Sequence, residues 1–186
     1  MTGLTMRKTK INLLNGIGAW LKLRKLDHFI DKPEHVPSYA SLGATGLDIR
    51  AMAKVVDGNL DLSDETTMAP MERAMYCTGL AMNAVTTQRG NDRCGLSPDV
   101  QIRARSGLAA KHGIMVLNAP GTVDLDYTGP IRIVLLNTST EPFKVQRTMR
   151  IAQMVIGVSL RPAFIEFVDV EATSERSGGF GSTGTT

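Results

Sequence analysis

Short runs of β-branched and aliphatic residues recur along this chain, each closed off by glycine, proline, asparagine, aspartate or serine, while helical periodicity is scarce. The runs are LKLRKL from Leu21, GLDIRA from Gly46, VQIRA from Val100, IRIVLL from Ile131, RIAQMVIGV from Arg150 and AFIEFVDV from Ala163. Runs of that length, at that spacing and with turn chemistry between them, suit an antiparallel sandwich or jelly roll. The fold class expected is therefore all-β. One short helix is predicted at SGLAAKHG, with Ser106 placed to cap its start and Gly113 to end it. The segment TTQRGNDRCGLSPD from Thr86 has turn residues throughout and no alternation, so it reads as a surface loop.

At 186 residues, 42% of them hydrophobic, the chain has the size of one ordinary domain with a real core. No apolar stretch approaches the length needed to cross a bilayer, which points to a soluble protein without a membrane partner. The net charge of +3 is uneven. Arg7, Lys8, Lys10, Lys22, Arg24 and Lys25 crowd the first 25 residues, which hold no carboxylate, and the remainder carries a net −3. A body with that balance offers no obvious electrostatic footprint for duplex nucleic acid, and no nucleic-acid partner is expected. Residues 1–20 read as a frayed extension, since their apolar part is broken by Asn12, Asn15, Gly16 and Gly18. Cys77 and Cys94 form no CxxC pair and no secretory segment precedes them, so a reducing cytosol or an organelle matrix fits, and a cytoplasmic protein is expected. With only His28, His35 and His112 besides, there is no zinc-type ligand cluster.

Two segments carry candidate chemistry. VLNAPGTVDLDYTGPIRIVLLN from Val116 reads as a β-hairpin with Asp124, Asp126 and Tyr127 near its turn. Alone, it reads better as an ordinary hairpin whose aspartates make turn hydrogen bonds. SERSGGFGSTGTT from Ser174 is mostly glycine, serine and threonine, a composition mobile in a free chain, yet it contains Arg176 and Phe180.

The ordered set is more specific than its parts. PSYASLGATGLDIRA from Pro37, RSGLAAKHG from Arg105, the hairpin, RIAQM from Arg150 and GGFGSTG from Gly178 resemble, in order, the five motifs of the dUTPase family. The resemblance runs from about Leu21 to the C-terminus. It implies a distorted jelly roll over residues 21–173, a glycine-rich arm over 174–186 that closes on substrate, and a homotrimer. In the family each site takes its second and fourth motifs from one subunit, its hairpin from another and its tail from a third. The activity implied is Mg²⁺-dependent hydrolysis of dUTP to dUMP and pyrophosphate, which keeps uracil out of DNA and supplies dUMP for thymidylate synthesis.

Cutting a triphosphate requires donors for phosphate oxygens and a hard cation that keeps its waters. By resemblance, Arg105, Ser106 and Gly107 form the phosphate clamp, and a forked guanidinium suits that task. The water-activating carboxylate falls on Asp124. Asn118 matches the uracil-reading position, with Gly121, Thr122 and Val123 supplying nearby backbone. Tyr127 matches the ring under deoxyribose that leaves no room for a 2′-hydroxyl. Arg132 lies where family members contact substrate, and Gln153 matches a phosphate-binding residue near the metal, with Arg150 in support. Asp48 is expected to reach Mg²⁺ through water, the ion being held mainly by substrate phosphates. In the tail, Phe180 would lie over uracil while Arg176, Gly181 and Ser182 meet the phosphates.

The chain departs from the family pattern twice. Thr148 and Met149 stand where Gly-Asp usually precedes the fourth-motif arginine, and Ser177 alone separates Arg176 from GGF. The first departure suggests a differently built turn, since glycine tolerates positive φ and methionine does not. Two alternative functions are a dCTP deaminase-like enzyme and a catalytically impaired nucleotide-binding trimer. Against the first, no Asp or Glu occurs between Asp126 and Glu141, where such deamination would need a carboxylate on the returning strand.

Overall fold

The structure, a computed structural model, describes residues 10–13, 17–25, 32–87 and 96–160. The run from Ala163 and the whole glycine-rich arm lie outside the described residues. Within them the strands are β1 (Lys10–Leu13), β2 (Ile17–Lys25), β3 (Gly46–Arg50), β4 (Ala53–Val56), β5 (Asn59–Asp61), β6 (Glu65–Met68), β7 (Arg73–Thr87), β8 (Leu96–Ala104), β9 (Ile114–Val116), β10 (Gly121–Val123), β11 (Pro130–Asn137), β12 (Phe143–Gln146) and β13 (Arg150–Leu160). One α-helix, α1 (Ser106–His112), interrupts them. The all-β expectation with one short helix holds.

The strands form three sheets among the described residues. The largest follows β1-β2-β7-β11-β9, with β4 also on β7 and β5 on β4; the second follows β10-β8-β13-β3; the third pairs β12 with β6. Alternation decides which side chains meet between them. On β11, Ile131, Ile133, Leu135 and Asn137 are buried in turn, and on β3 Leu47 and Ile49. Tyr76, Ile133 and Leu135 from the first sheet, Ile49, Ile102 and Met154 from the second, and Met68 and Val145 from the third join in one core. The buried Asn137 amide is satisfied, donating to the carbonyls of Met68, Ala69 and Glu141 at 2.8–3.2 Å, as a polar group in such a place must be.

Several boundaries differ from the sequence reading. Residues 10–13 and 17–20 are strand rather than frayed extension, because β2 adds to the edge of β7 from Ala19↔Thr87 to Lys25↔Leu80 and β1 folds back on it. The loop expected from Thr86 is entered by strand at both ends, since β7 runs to Thr87 and β8 begins at Leu96. Ser106 is the first helical residue and not the cap: Arg105, with extended φ, holds the cap position and makes no side-chain cap bond. Gly113 does end the helix, at φ 66. A Cβ there would lie 2.9 Å from Thr138 Oγ1, so both its conformation and its surroundings require glycine.

The segment from Val116 is also not a simple hairpin. β9 and β11 do pair, from Val116↔Leu135 to Ile114↔Asn137, but the chain between them leaves that sheet. Its strand β10 joins β8 in the second sheet, at Gly121↔Ile102 and Val123↔Val100. Val123, packed against the core, and the buried Gly121 give it a reason to do so.

Candidate functional site

The C-terminal end of β8, the start of β13 and the strand β3 between Gly46 and Arg50 border an open cleft of about 350 Å³. Gln153 stands directly across from Asp48 on β3 and from Arg103 on β8. Arg150 and Gln153 are three apart, which in a regular strand would put them on opposite faces. A register shift between Arg150 and Ala152 changes that, and both line the cleft.

Asp48 organises this cleft. Its Oδ1 accepts from Arg105 Nε at 3.1 Å and its Oδ2 from Arg150 Nη1 at 3.0 Å. The Asp48 side chain is 14% exposed, so these are partly shielded, charge-assisted bonds. Arg105 Nη1 also donates to the Arg150 carbonyl at 3.2 Å, and its remaining N–H groups have no partner among the described residues. A Cβ on Gly46 would lie 3.2 Å from Gln153 Cβ and 3.3 Å from its Oε1, so the missing side chain leaves the Gln153 amide its place.

The turn entering Arg150 is left-handed at Thr148, φ 68, although this residue is β-branched. Its neighbours fix the conformation. The Thr148 carbonyl accepts from Arg50 Nη1 at 2.6 Å, its N–H donates to the Ala51 carbonyl, and Met149 N–H donates to Gln146.

A second group of residues sits on the segment around β10. Asn118 is exposed, with its amide over the backbone of Gly121: a Cβ there would stand 3.1 Å from Asn118 Nδ2. Thr122 and Asp124 are exposed and Val123 half-buried. Asp124 accepts from Tyr127 N–H only through its backbone carbonyl, at 3.1 Å, so its carboxylate has no partner among the described residues. The Tyr127 hydroxyl donates to the Pro130 carbonyl at 3.0 Å. Arg132 lies on the exposed face of β11 beside Met75.

The two groups are not brought together within one chain. The ladder puts Val123 beside Val100, so Asp124 follows the half of β8 remote from Arg105, on the order of 20 Å away along the strand. Arg176, Phe180, Gly181 and Ser182 lie outside the described residues. Sequence reasoning missed Arg103 and Gly46 as cleft residues. Arg103 had a signal, since it shares a strand face with Arg105 two positions on.

Among the described residues no group of three or more His, Cys, Asp or Glu could hold a metal ion, and Asp48 is the one carboxylate lining the cleft. That donor set fits a Mg²⁺ ion carried by a ligand's phosphates, since Mg²⁺ keeps several waters and needs few protein carboxylates. It does not form a closed cage. Nor, among the described residues, is any helix long and apolar enough to cross a membrane.

Comparisons with known proteins bear on the family and the fold. A family model described as dUTPase matches residues 32–184. The deoxyuridine 5′-triphosphate nucleotidohydrolase of Methylocella silvestris is 40% identical over 162 residues, covering 87% of this chain and 89% of that protein. Its counterpart from Rhizobium etli is 44% identical over 149 residues, covering 80% and 85%. Among solved structures, a dUTPase of Staphylococcus bacteriophage 80alpha with dUpNHpp superposes with a TM-score of 0.65 at 20% identity, covering 89% of this chain and 98% of that one. A dUTPase of phage phi11 of S. aureus superposes with a TM-score of 0.59 at 17% identity, covering 82% and 99%. At those identities the structures speak for the fold alone, while the family model over residues 32–184 and the sequence relatives show the family, and on that ground this chain belongs to the dUTPase family.

Proposed function

We propose that this chain hydrolyses dUTP to dUMP and pyrophosphate in sites that its subunits share, with the cleft of one subunit completed by the β10 segment of another. The activity follows from family membership. The observation that supports the sharing is the separation of Asp124 from Arg105 within one chain. A general base must lie within hydrogen-bond reach of its water, and the water within reach of the phosphorus. A distance on the order of 20 Å along the strand forbids that in a monomer. A closed trimer, as the family resemblance implies, supplies the second subunit.

In this reading Arg105 carries phosphate oxygens on the donors that Asp48 leaves over, and Asp48 fixes the plane of its guanidinium. Ser106 adds a hydroxyl, and a Cβ at Gly107 would meet open space, so nothing among the described residues bars the close approach of a ligand to its backbone. Gln153 donates its amide from the floor of the cleft. The exposed Asp124 orients a water and takes its proton as the water attacks the α-phosphorus in line, and pyrophosphate leaves. Asn118, with the backbone of Gly121, Thr122 and Val123, reads the uracil edge, and Tyr127 packs under the sugar. Arg132 contacts substrate from the returning strand. The phi11 phage dUTPase coordinates a structural Mg(II) ion. In this chain Asp48 would face the waters of a Mg²⁺ ion held mainly by the triphosphate, and the ion would supply neutralisation of phosphate charge. In the arm, Phe180 covers the base while Arg176, Gly181 and Ser182 meet phosphates, excluding water.

Mixing subunits tests the shared site. Arg105→Ala and Asp124→Asn are each expected to be nearly inactive alone. Unfolded together and refolded as mixed trimers, they should regain about one quarter of wild-type pyrophosphate release, because a site needs one intact part from each neighbour. No recovery in verified mixed trimers would assign both residues to the same subunit's site and end this reading.

A further inference from the structure

Gly129 lies two residues after Tyr127, and its own backbone does not demand glycine. Its φ is not left-handed, unlike those of Gly58, Gly79 and Gly113. What it lacks is room. A Cβ built on Gly129 would stand 2.5 Å from Tyr127 Oη, 2.7 Å from Cζ and 2.9 Å from Cε2. The ring is folded back over the Gly129 backbone, and its hydroxyl donates to the next residue's carbonyl, Pro130, at 3.0 Å. Tyr127 is 44% exposed, so burial does not fix it; this contact and this hydrogen bond do. An aromatic ring has two side-chain torsions and cannot bend. A methyl group on residue 129 therefore has to swing the whole ring away.

We infer that Gly129 is a positioning residue for sugar selection: by carrying no side chain it lets the Tyr127 ring occupy the place from which it excludes a 2′-hydroxyl. The inference rests on the reading of Tyr127 as the surface under deoxyribose. It separates sugar from base. Asn118 and Gly121 form their own contact at the start of β10, one that does not involve Tyr127 or Gly129, so Gly129→Ala should lower the preference for dUTP over UTP and leave the preference for dUTP over dTTP intact. Loss of a steric fit of this kind is worth about tenfold or more in kcat/KM.

The chain has three tyrosines, so 3-fluorotyrosine labelling of the intact protein gives a short ¹⁹F spectrum, assigned with Tyr127→Phe. Without nucleotide, Gly129→Ala should move the Tyr127 resonance and leave those of Tyr39 and Tyr76. The kcat/KM ratio for dUTP over UTP should fall about tenfold or more in Gly129→Ala and in Tyr127→Ala, with no further fall in the double variant. An unmoved Tyr127 resonance overturns the positioning role. A moved resonance with undiminished selectivity in both single variants overturns the sugar role at its root, in the reading of Tyr127, while the steric coupling stands. Should Gly129→Ala fail to fold, Tyr127→Phe removes only the bond to Pro130. It should itself lower the UTP discrimination, and an unchanged ratio would sink the inference.

Discussion

Arg105 and Asp48 stand 57 positions apart in the chain and meet through a 3.1 Å bond from Nε to Oδ1. The other carboxylate oxygen takes Arg150, 102 positions away, at 3.0 Å. One carboxylate thus sets the direction of two guanidiniums that would otherwise repel each other. Asp48→Ala removes two charge-assisted bonds, each worth about 1.5–3 kcal/mol where fully formed. The expected result is a fall in kcat/KM of about 10- to 100-fold, with a smaller loss in Asp48→Asn, which keeps an acceptor for Arg105. Steady-state kinetics of both variants checks the order, and equal losses would mean that charge alone matters.

Asp124 offers the opposite case, a carboxylate with no partner to hold it among the described residues. Nothing among the described residues pairs with its charge, so Asp124→Asn should leave Tm and the binding of a non-hydrolysable dUTP analogue unchanged. Turnover should fall by a factor on the order of 10² to 10⁴, the usual contribution of a positioned base. Near-wild-type pyrophosphate release would remove Asp124 from that role.

The contrast between these two aspartates marks what the sequence disclosed. β3, β11 and β13 were legible because their residues alternate or run apolar, and α1 because of its closing glycine. β7 was not, although it is the longest strand among the described residues: AMYCTGLAM is rich in alanine and methionine, and Gly79 sits inside it with φ 70. Local propensity there gives no strand signal, and pairing on both sides with β2, β4 and β11 decides the matter. The short strands β5, β6, β9, β10 and β12 carry too few residues to show alternation. The motifs brought Asp48, Arg105 and Gln153 into one list, but the pairing of Asp48 with two arginines depends on the three-strand register of β3, β13 and β8. The passage of β10 into the second sheet likewise comes from tertiary packing of Val123, which no local pattern displays.

A pair remote from the cleft makes stability depend on pH. Glu72 Oε1 accepts from Lys54 Nζ at 2.8 Å and its Oε2 from Ala69 N–H at 2.7 Å. The Lys54 hydrogen bond, aided by that of Ala69, holds the carboxyl below its ordinary value of 4.5 against a smaller opposing effect of burial. A depressed carboxylate contributes stability above its unfolded value, and that contribution is lost as pH falls through the folded one. Wild type should therefore exceed Glu72→Gln in Tm near neutrality, modestly because the pair is partly exposed. The gap should close as pH drops below about 4.5. Thermal melts across that range check it, and parallel curves would contradict it.

The departure at Thr148 yields the last prediction. The turn before Arg150 is left-handed there, and a β-branched residue in that region bears about 1–2 kcal/mol of steric cost. The conformation persists because Arg50 Nη1 and the backbone of Ala51 each bind Thr148 at 2.6 Å, so the surroundings impose it. Both of those bonds use main-chain atoms of residue 148 and survive Thr148→Gly. Glycine relieves the strain but loses about 0.5–1 kcal/mol more backbone entropy on folding than alanine would. The balance favours glycine by about 0.5–1 kcal/mol, a rise in Tm of about 2 °C for a chain of this size. Since Arg150 keeps its place on Asp48, kcat/KM should stay within about twofold of wild type, a change well below tenfold discrimination. A lower Tm in Thr148→Gly would show that the Thr148 side chain contributes more than its strained backbone costs, and that this chain replaced the family's glycine to its own advantage.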